Sequence, residues 1–267
     1  MTLLIFFGIL SGITTILFGF GGGFVTVPLL YTYLLLQYPD GDIPLYAMQI
    51  SVATSALIMI FSAAISSYQS HQKGLIDWQI IKPLLWSISL GGCLGAFIAS
   101  IVQGEWIRWI FIIYLAITII DALFSKSFTT QNPFEAKNLQ RKYDAILGVF
   151  IGTIAALLGV GGSIMTVPLM RKRGALMKEA AAMANPLTLP MAITTTIVYL
   201  LISTSEGFNF GNGFVGFLYL KAAGILIISA FIGIKIGARL QHYIPDKIYA
   251  RAYPLLLLIV LLVMLLQ

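Results

Sequence analysis

Apolar runs separated by short polar stretches divide the chain into ten segments, roughly 2–18, 24–37, 45–69, 78–103 and 106–124, then 144–158, 164–170, 178–202, 218–241 and 248–267. Several reach the ~20 residues a helix needs to cross hydrocarbon. The pattern therefore predicts an all-α polytopic membrane protein. Between the fifth and sixth segments lies a polar, basic linker, 125–143, with Asn132-Pro133 as its turn signal. The shortest segments flank two glycine clusters and read as hairpin arms that enter the membrane and turn at the glycines.

Those clusters are a repeat. Gly19, Gly21, Gly22, Thr26, Val27, Pro28 and Leu29 return 140 positions later as Gly159, Gly161, Gly162, Thr166, Val167, Pro168 and Leu169, with Gly23 replaced by Ser163. Gly8 and Gly12 return as Gly148 and Gly152; Gly91, Gly95 and Ala96 resemble Gly233, Gly237 and Ala238. The chain is expected to consist of a first transmembrane repeat, 1–124, the linker and a second repeat, 144–267. Each carries a glycine-broken, re-entrant-like helical hairpin. A glycine cluster disfavours continuous helix. In hydrocarbon a break is tolerated only where its freed N–H and C=O groups face protein, water or a ligand. Paired breaks at matching places in two halves point to a transporter binding site.

Composition agrees with the pattern. The chain is 59% apolar and 10% charged, against roughly 25% charged in soluble domains, and its mean hydropathy is +0.94. The net charge of +6 sits in loops, where it reports orientation rather than nucleic-acid binding. Asp40, Asp42 and Glu206 mark one side; the linker bases, the loop holding Arg171, Lys172, Arg173 and Lys178, and the Arg239 region mark the cytoplasmic side. Only Arg108 and Lys221 of the sixteen bases then lie outside. Each half has odd parity, so the two repeats are expected to be inverted, with both termini external. The first segment lacks a basic leader and a cleavage site and is expected to be part of the structure. The single Cys93 allows no disulfide framework and no cysteine metal site.

Candidate chemistry gathers at the breaks. Successive N–H groups of Gly19, Gly21, Gly22 and Gly23, and of Gly159, Gly161, Gly162 and Ser163, each followed by a helix N-terminus, favour an anion. Thr26 and Thr166 add hydroxyls in the first turn beyond. Pro28 and Pro168 are expected early in their helices, where no N–H is needed. Ser51, Thr54 and Ser55 share one face of the third segment, followed by Ser62; Asn185 and Thr188 sit beside Pro186 and Pro190, which are expected to break the eighth. These side chains are candidates to line the same cavity, against the plainer alternative of close packing and interhelical hydrogen bonds. Ionisable residues are expected only near segment ends. No nucleophile–base pair or metal cluster points to an enzyme, and the glycines do not fit a nucleotide loop.

The doubled Gly-x-Gly-Gly-x-x-x-x-x-Pro-Leu pattern resembles the TauE/SafE family of sulfite-exporter-like permeases over essentially the whole chain. Gly19, Gly21, Gly22, Pro28 and Leu29 match its first signature, and Gly159, Gly161, Gly162, Pro168 and Leu169 its second. Ala53-Thr54-Ser55 and Gly74-Leu75-Ile76-Asp77-Trp78 are similar to further family elements. The second half departs at Asn185-Pro186-Leu187-Thr188, where a Thr-Ser element is the family pattern. The resemblance implies a secondary transporter in the cell inner membrane, moving small, chiefly sulfur-containing anions such as sulfite, sulfoacetate or related organosulfur acids. Its partners would be that anion and the lipid bilayer, with no cofactor and no nucleic acid. Coupling to a proton, to sodium or to nothing stays open, as does oligomeric state. An anion channel with a static filter, or a non-transporting scaffold, is the alternative.

Overall fold

The computed structural model describes residues 2–124, 141–241 and 243–266, and for residues 141–143 the backbone alone. The linker residues Lys126, Lys137 and Asn132-Pro133, together with His242, lie outside the described residues. Helices α1 (Thr2–Phe18), α2 (Gly23–Gln37), α3 (Ala47–Gln72), α4 (Trp78–Ile101) and α5 (Gly104–Phe124) form the first half. The second runs through α6 (Arg141–Leu158), α7 (Ser163–Lys172), α8 (Met177–Glu206), α9 (Leu220–Leu240) and α10 (Asp246–Leu265). Six of them, α3, α4, α5, α8, α9 and α10, are long and apolar enough to cross a membrane. The arms at the breaks are shorter, α2 having 15 residues and α7 only 10. The protein is an all-α polytopic membrane protein.

Four local expectations are corrected. None of the four prolines breaks its helix: α2 contains Pro28, α7 contains Pro168, and α8 runs unbroken through Pro186 and Pro190. Pro28 and Pro168 stand five residues past their helix starts, beyond the turn whose N–H groups are free, so each forfeits a backbone hydrogen bond that surrounding packing must offset. Arg171 and Lys172 lie in the last turn of α7, not in a loop. The ninth segment opens with an antiparallel hairpin, β1 (Phe214–Val215) and β2 (Leu218–Tyr219), turned at Gly216 with φ 53°. Also, α6 begins at Arg141, inside the stretch read as linker.

The two halves interleave. The most extensive helix contacts are α4 with α6 and α1 with α9, each joining the first helix of one half to the fourth of the other. Glycines four residues apart make both possible. On α1 and α9 a Cβ at Gly12 would overlap the carbonyl of Ala230, and one at Gly233 that of Ile9. On α4 and α6, Gly91 and Gly95 press on Val149 and Thr153, and Gly152 on Ile88. With lipid as apolar as any side chain, this backbone proximity drives association. Central to the bundle, α3 packs along α8.

Corresponding helices end on opposite faces. Tyr46 before α3 meets Phe208 just past α8 edge to face, ring centroids 5.1 Å apart, and Gln49 Nε2 donates to Val102 O at 2.9 Å. On the other face Lys73, past α3, donates to Gln241 Oε1 at 3.1 Å, and Lys172 pairs with Asp121 at 2.8 Å. So α3 starts where α8 ends.

Candidate binding site at the two glycine breaks

Each break begins as a helix cap that only glycine accepts. Gly19 and Gly159, with φ 75° and 66°, follow the last residues of α1 and α6 in the left-handed region. At the first, Gly19 N–H bonds Thr15 O at 2.9 Å, the simple left-handed cap; at the second, Val160 N–H reaches Ala155 O and Gly159 N–H reaches Ala156 O, the fuller Schellman form. Gly21 and Gly161 repeat the positive φ, at 64° and 75°. Then the breaks diverge: Gly22 is left-handed at φ 93°, whereas Gly162 is right-handed at φ −65°. Among the described residues, the N–H groups of Gly21, Gly22, Gly161 and Gly162 bond no other backbone group.

The two breaks meet. A Cβ on Gly23 would overlap the Gly159 carbonyl and come within 2.7 Å of Met59 Sδ; one on Gly161 would lie 3.3 Å from Phe20 O. Thr188 supplies the side chain common to both, its Cγ2 methyl 2.7 Å from such an atom at Gly21 and 3.1 Å from one at Gly161. Ser55 bridges the halves: its hydroxyl donates to Gly159 O at 2.8 Å and lies 3.2 Å from Thr26 Oγ1. Residues 140 positions apart in sequence thus converge at the crossing of α3 and α8.

Side chains predicted together separate into three groups. Ser55, Thr26 and Thr188 touch the breaks, but their hydroxyls are engaged: Thr26 donates to Gly22 O at 2.8 Å and Thr188 to Ala184 O at 3.1 Å. Ser51 and Thr54 do not reach the breaks through their hydroxyls; Ser51 donates to Ala47 O, and Thr54 Oγ1 accepts from Tyr219 N–H of the β-hairpin at 2.9 Å. Asn185 ties three helices, its Nδ2 shared among Ser66 Oγ (2.7 Å), Thr15 O (3.2 Å) and Ala181 O (3.3 Å). Among the described residues, the fully buried Ser163 and Thr166 form no side-chain hydrogen bond, and neither does Asn185 Oδ1.

Two further hydroxyls hold the first break, of which Ser62 was named with the polar face of the third segment and Ser11 was not. Ser11 donates to Gly22 O at 2.8 Å, and Ser62 donates to Gly21 O, so hydroxyls of α1 and α3 satisfy the carbonyls freed at the first break. Ser62 and Ser66 continue the buried stripe of Ser51 and Ser55 at helical spacing, and that periodicity was the available signal. Ser11 had none beyond its place one turn before Thr15.

The basic run after the second break is bound up in ion pairs. Arg171, almost wholly buried, pairs with Asp246 at 3.1 Å; Lys172 pairs with Asp121; Arg173 pairs with Asp144. Asp246 also accepts from Met177 N–H at 2.7 Å. The end of α7 is thereby fastened to α10, α5 and α6. Cavities open toward each face: about 580 Å³ beside Asp77, Trp78 and Glu179, and about 800 Å³ beside Tyr46, Gln49, Arg108 and Glu206.

A family profile described as sulfite exporter TauE/SafE matches residues 4–264. The chain belongs to the TauE/SafE family. Its membrane helices and both glycine breaks fall within the matched span, and with its relatives it is a membrane transporter. It is 27% identical over 95% of its length to a Haemophilus influenzae protein named "Probable membrane transporter protein", covering 93% of that chain. A Methanocaldococcus jannaschii protein of the same description is 24% identical, with 90% of this chain and 88% of that one aligned. The similarly described Bacillus subtilis YunE is 22% identical over 92% and 90%. No solved structure gives a significant match.

Proposed function

We propose that this TauE/SafE protein is a secondary carrier of small anions, chiefly sulfur oxyanions or sulfonates, in the cell inner membrane. One observation carries the reading: two glycine breaks, each with N–H groups that bond no other backbone group, abut where α3 crosses α8. Such groups at helix N-termini stabilise negative charge without a buried cation. The opposed ends of α3 and α8 support two inverted repeats, and rocking of one set of helices against the other would expose the breaks alternately to the two facing cavities. The sulfur preference rests on the family's description.

The test is flux in proteoliposomes. Saturable uptake of labelled sulfite, accelerated by unlabelled sulfite or methanesulfonate on the opposite side, is the expected result. Single-channel currents without counterflow would make the protein a channel, and no flux of any anion from correctly folded protein would make it a scaffold.

A further inference from the structure

The two breaks repeat in sequence but not in chemistry, and that difference selects a ligand class. At the first, carbonyls are turned toward hydroxyls: Gly21 O accepts from Ser62, and Gly22 O from Ser11 and Thr26. Each of those hydroxyl protons is spent on the backbone. At the second, the left-handed Gly161 followed by right-handed Gly162, φ 75° and −65°, gives the alternation of backbone signs that forms an anion-binding nest. At the first break Gly21 and Gly22 are both left-handed, so the alternation falls one residue later, at Gly22 and helical Gly23, where Gly159 O, Met59 Sδ and Ser55 Oγ crowd the backbone, whereas only Ile151 lies near Gly162.

Side chains add to the nest. Ser163 opens α7 and Thr166 follows three residues later on the same face. Helical side chains lean toward the N-terminus, so both hydroxyls overhang the break. Both are fully buried, and among the described residues their hydroxyls have no hydrogen-bond partner, a state that is costly unless a ligand accepts from them. Side chains against this break include Val27, Val52, Met59, Ile151 and Thr188, together with Ser55, whose hydroxyl is spent on Gly159 O, and none of these is charged. The bases of α7 stand at its far end, paired with acids.

Resting on the anion-carrier reading, we infer that the substrate is held by the second break alone, as a monoanion, while the first break is a hydrogen-bonded structural joint. Gly161, Gly162, Ser163 and Thr166 supply only neutral donors. The cost of desolvating an ion grows with the square of its charge, so a dianion pays about four times the penalty of a monoanion, whereas the attraction of fixed donors grows only in proportion. Without a cation to close that gap, sulfonates and singly charged oxyanions are selected over sulfate.

Isothermal titration of the purified full-length protein with sodium methanesulfonate and sodium sulfate, at matched ionic strength, tests this. Methanesulfonate should bind at least about tenfold more tightly than sulfate; Ser163→Ala and Thr166→Val should each weaken it about tenfold, the size of a hydrogen bond to a charged group. Thr166→Ser, which keeps the hydroxyl, should bind as the wild type does. Thr26→Val and Ser11→Ala should lower the melting temperature yet hold affinity within about twofold. Equal or tighter sulfate binding, or folded Thr26→Val losing as much affinity as Thr166→Val, overturns the inference and leaves the carrier reading standing. Binding of neither anion by folded wild type removes the carrier reading itself.

Discussion

At the scale of single residues, Thr188 and Gly161 decide whether the breaks can meet. The Thr188 hydroxyl is spent on its own helix while its methyl touches both breaks. Thr188→Val, which keeps that methyl and loses only a hydroxyl bond to Ala184 O, should cost about 1 kcal/mol, and Thr188→Leu should lower the melting temperature further by overpacking the junction. A melting curve of each variant in detergent separates the two outcomes. Gly161→Ala places a Cβ at φ 75° and against Phe20 O, and should cost ~1–2 kcal/mol from backbone conformation alone. An unchanged melting temperature would show that the break is looser than described. The positions of both breaks were legible in the repeated glycines, but their inequality was not. Glycine adopts either sign of φ at little cost, so Gly22 and Gly162 look alike in sequence while one turns its carbonyl toward Ser11 and Thr26 and the other extends a nest. Asn185 was legible as a polar residue in an apolar helix, and its role differed: its donor ties α8 to α1 and α3 rather than lining an open wall.

At the scale of elements, helix boundaries followed the apolar segments closely, because in hydrocarbon every backbone group must be satisfied internally and long apolar runs have almost no alternative to helix. Prolines misled for a related reason. Pro186 and Pro190 weaken α8 locally, but tertiary packing holds it straight through. The small-xxx-small pairs were visible as repeated glycines, whereas their partners, α1 on α9 and α4 on α6, depend on packing between halves. Gly12→Leu and Gly95→Leu should each disrupt one of these interfaces and sharply reduce the yield of monodisperse protein. Gly224→Leu on α9, where nothing lies within 4 Å of an added Cβ, should be tolerated. Comparable losses for all three would argue against backbone proximity as the driving contact. Ion pairs at the end of α7 were beyond sequence reasoning, since Arg171 and Asp246 are 75 positions apart. Arg171→Met leaves mostly buried Asp246 without its counter-charge, held by Met177 N–H, and should destabilise by about 3 kcal/mol; Lys172→Met, in a pair nearly half exposed, should cost at most ~1 kcal/mol. Equal effects in thermal melts would contradict that ranking.

At the scale of the whole molecule, the opposed ends of α3 and α8 make a topology prediction. Single cysteines at Asp40 and Glu206, in a background with Cys93 replaced, should react with an impermeant thiol reagent from outside intact cells, and one at Lys178 only after permeabilisation. Labelling of Asp40 and Lys178 from the same side would rule out the inverted arrangement. Interleaving carries a different consequence, for how the chain comes to be assembled. Because α1 closes on α9 and α6 on α4, a ribosome that has released only the first half has delivered a helix whose partner has yet to be synthesised. α1 must wait in the lipid, its glycine face uncovered, until nearly the whole polypeptide has been inserted. Maturation should therefore be late and all-or-none, with truncated products degraded, while separately expressed fragments 1–124 and 141–267 should rescue each other, neither accumulating alone.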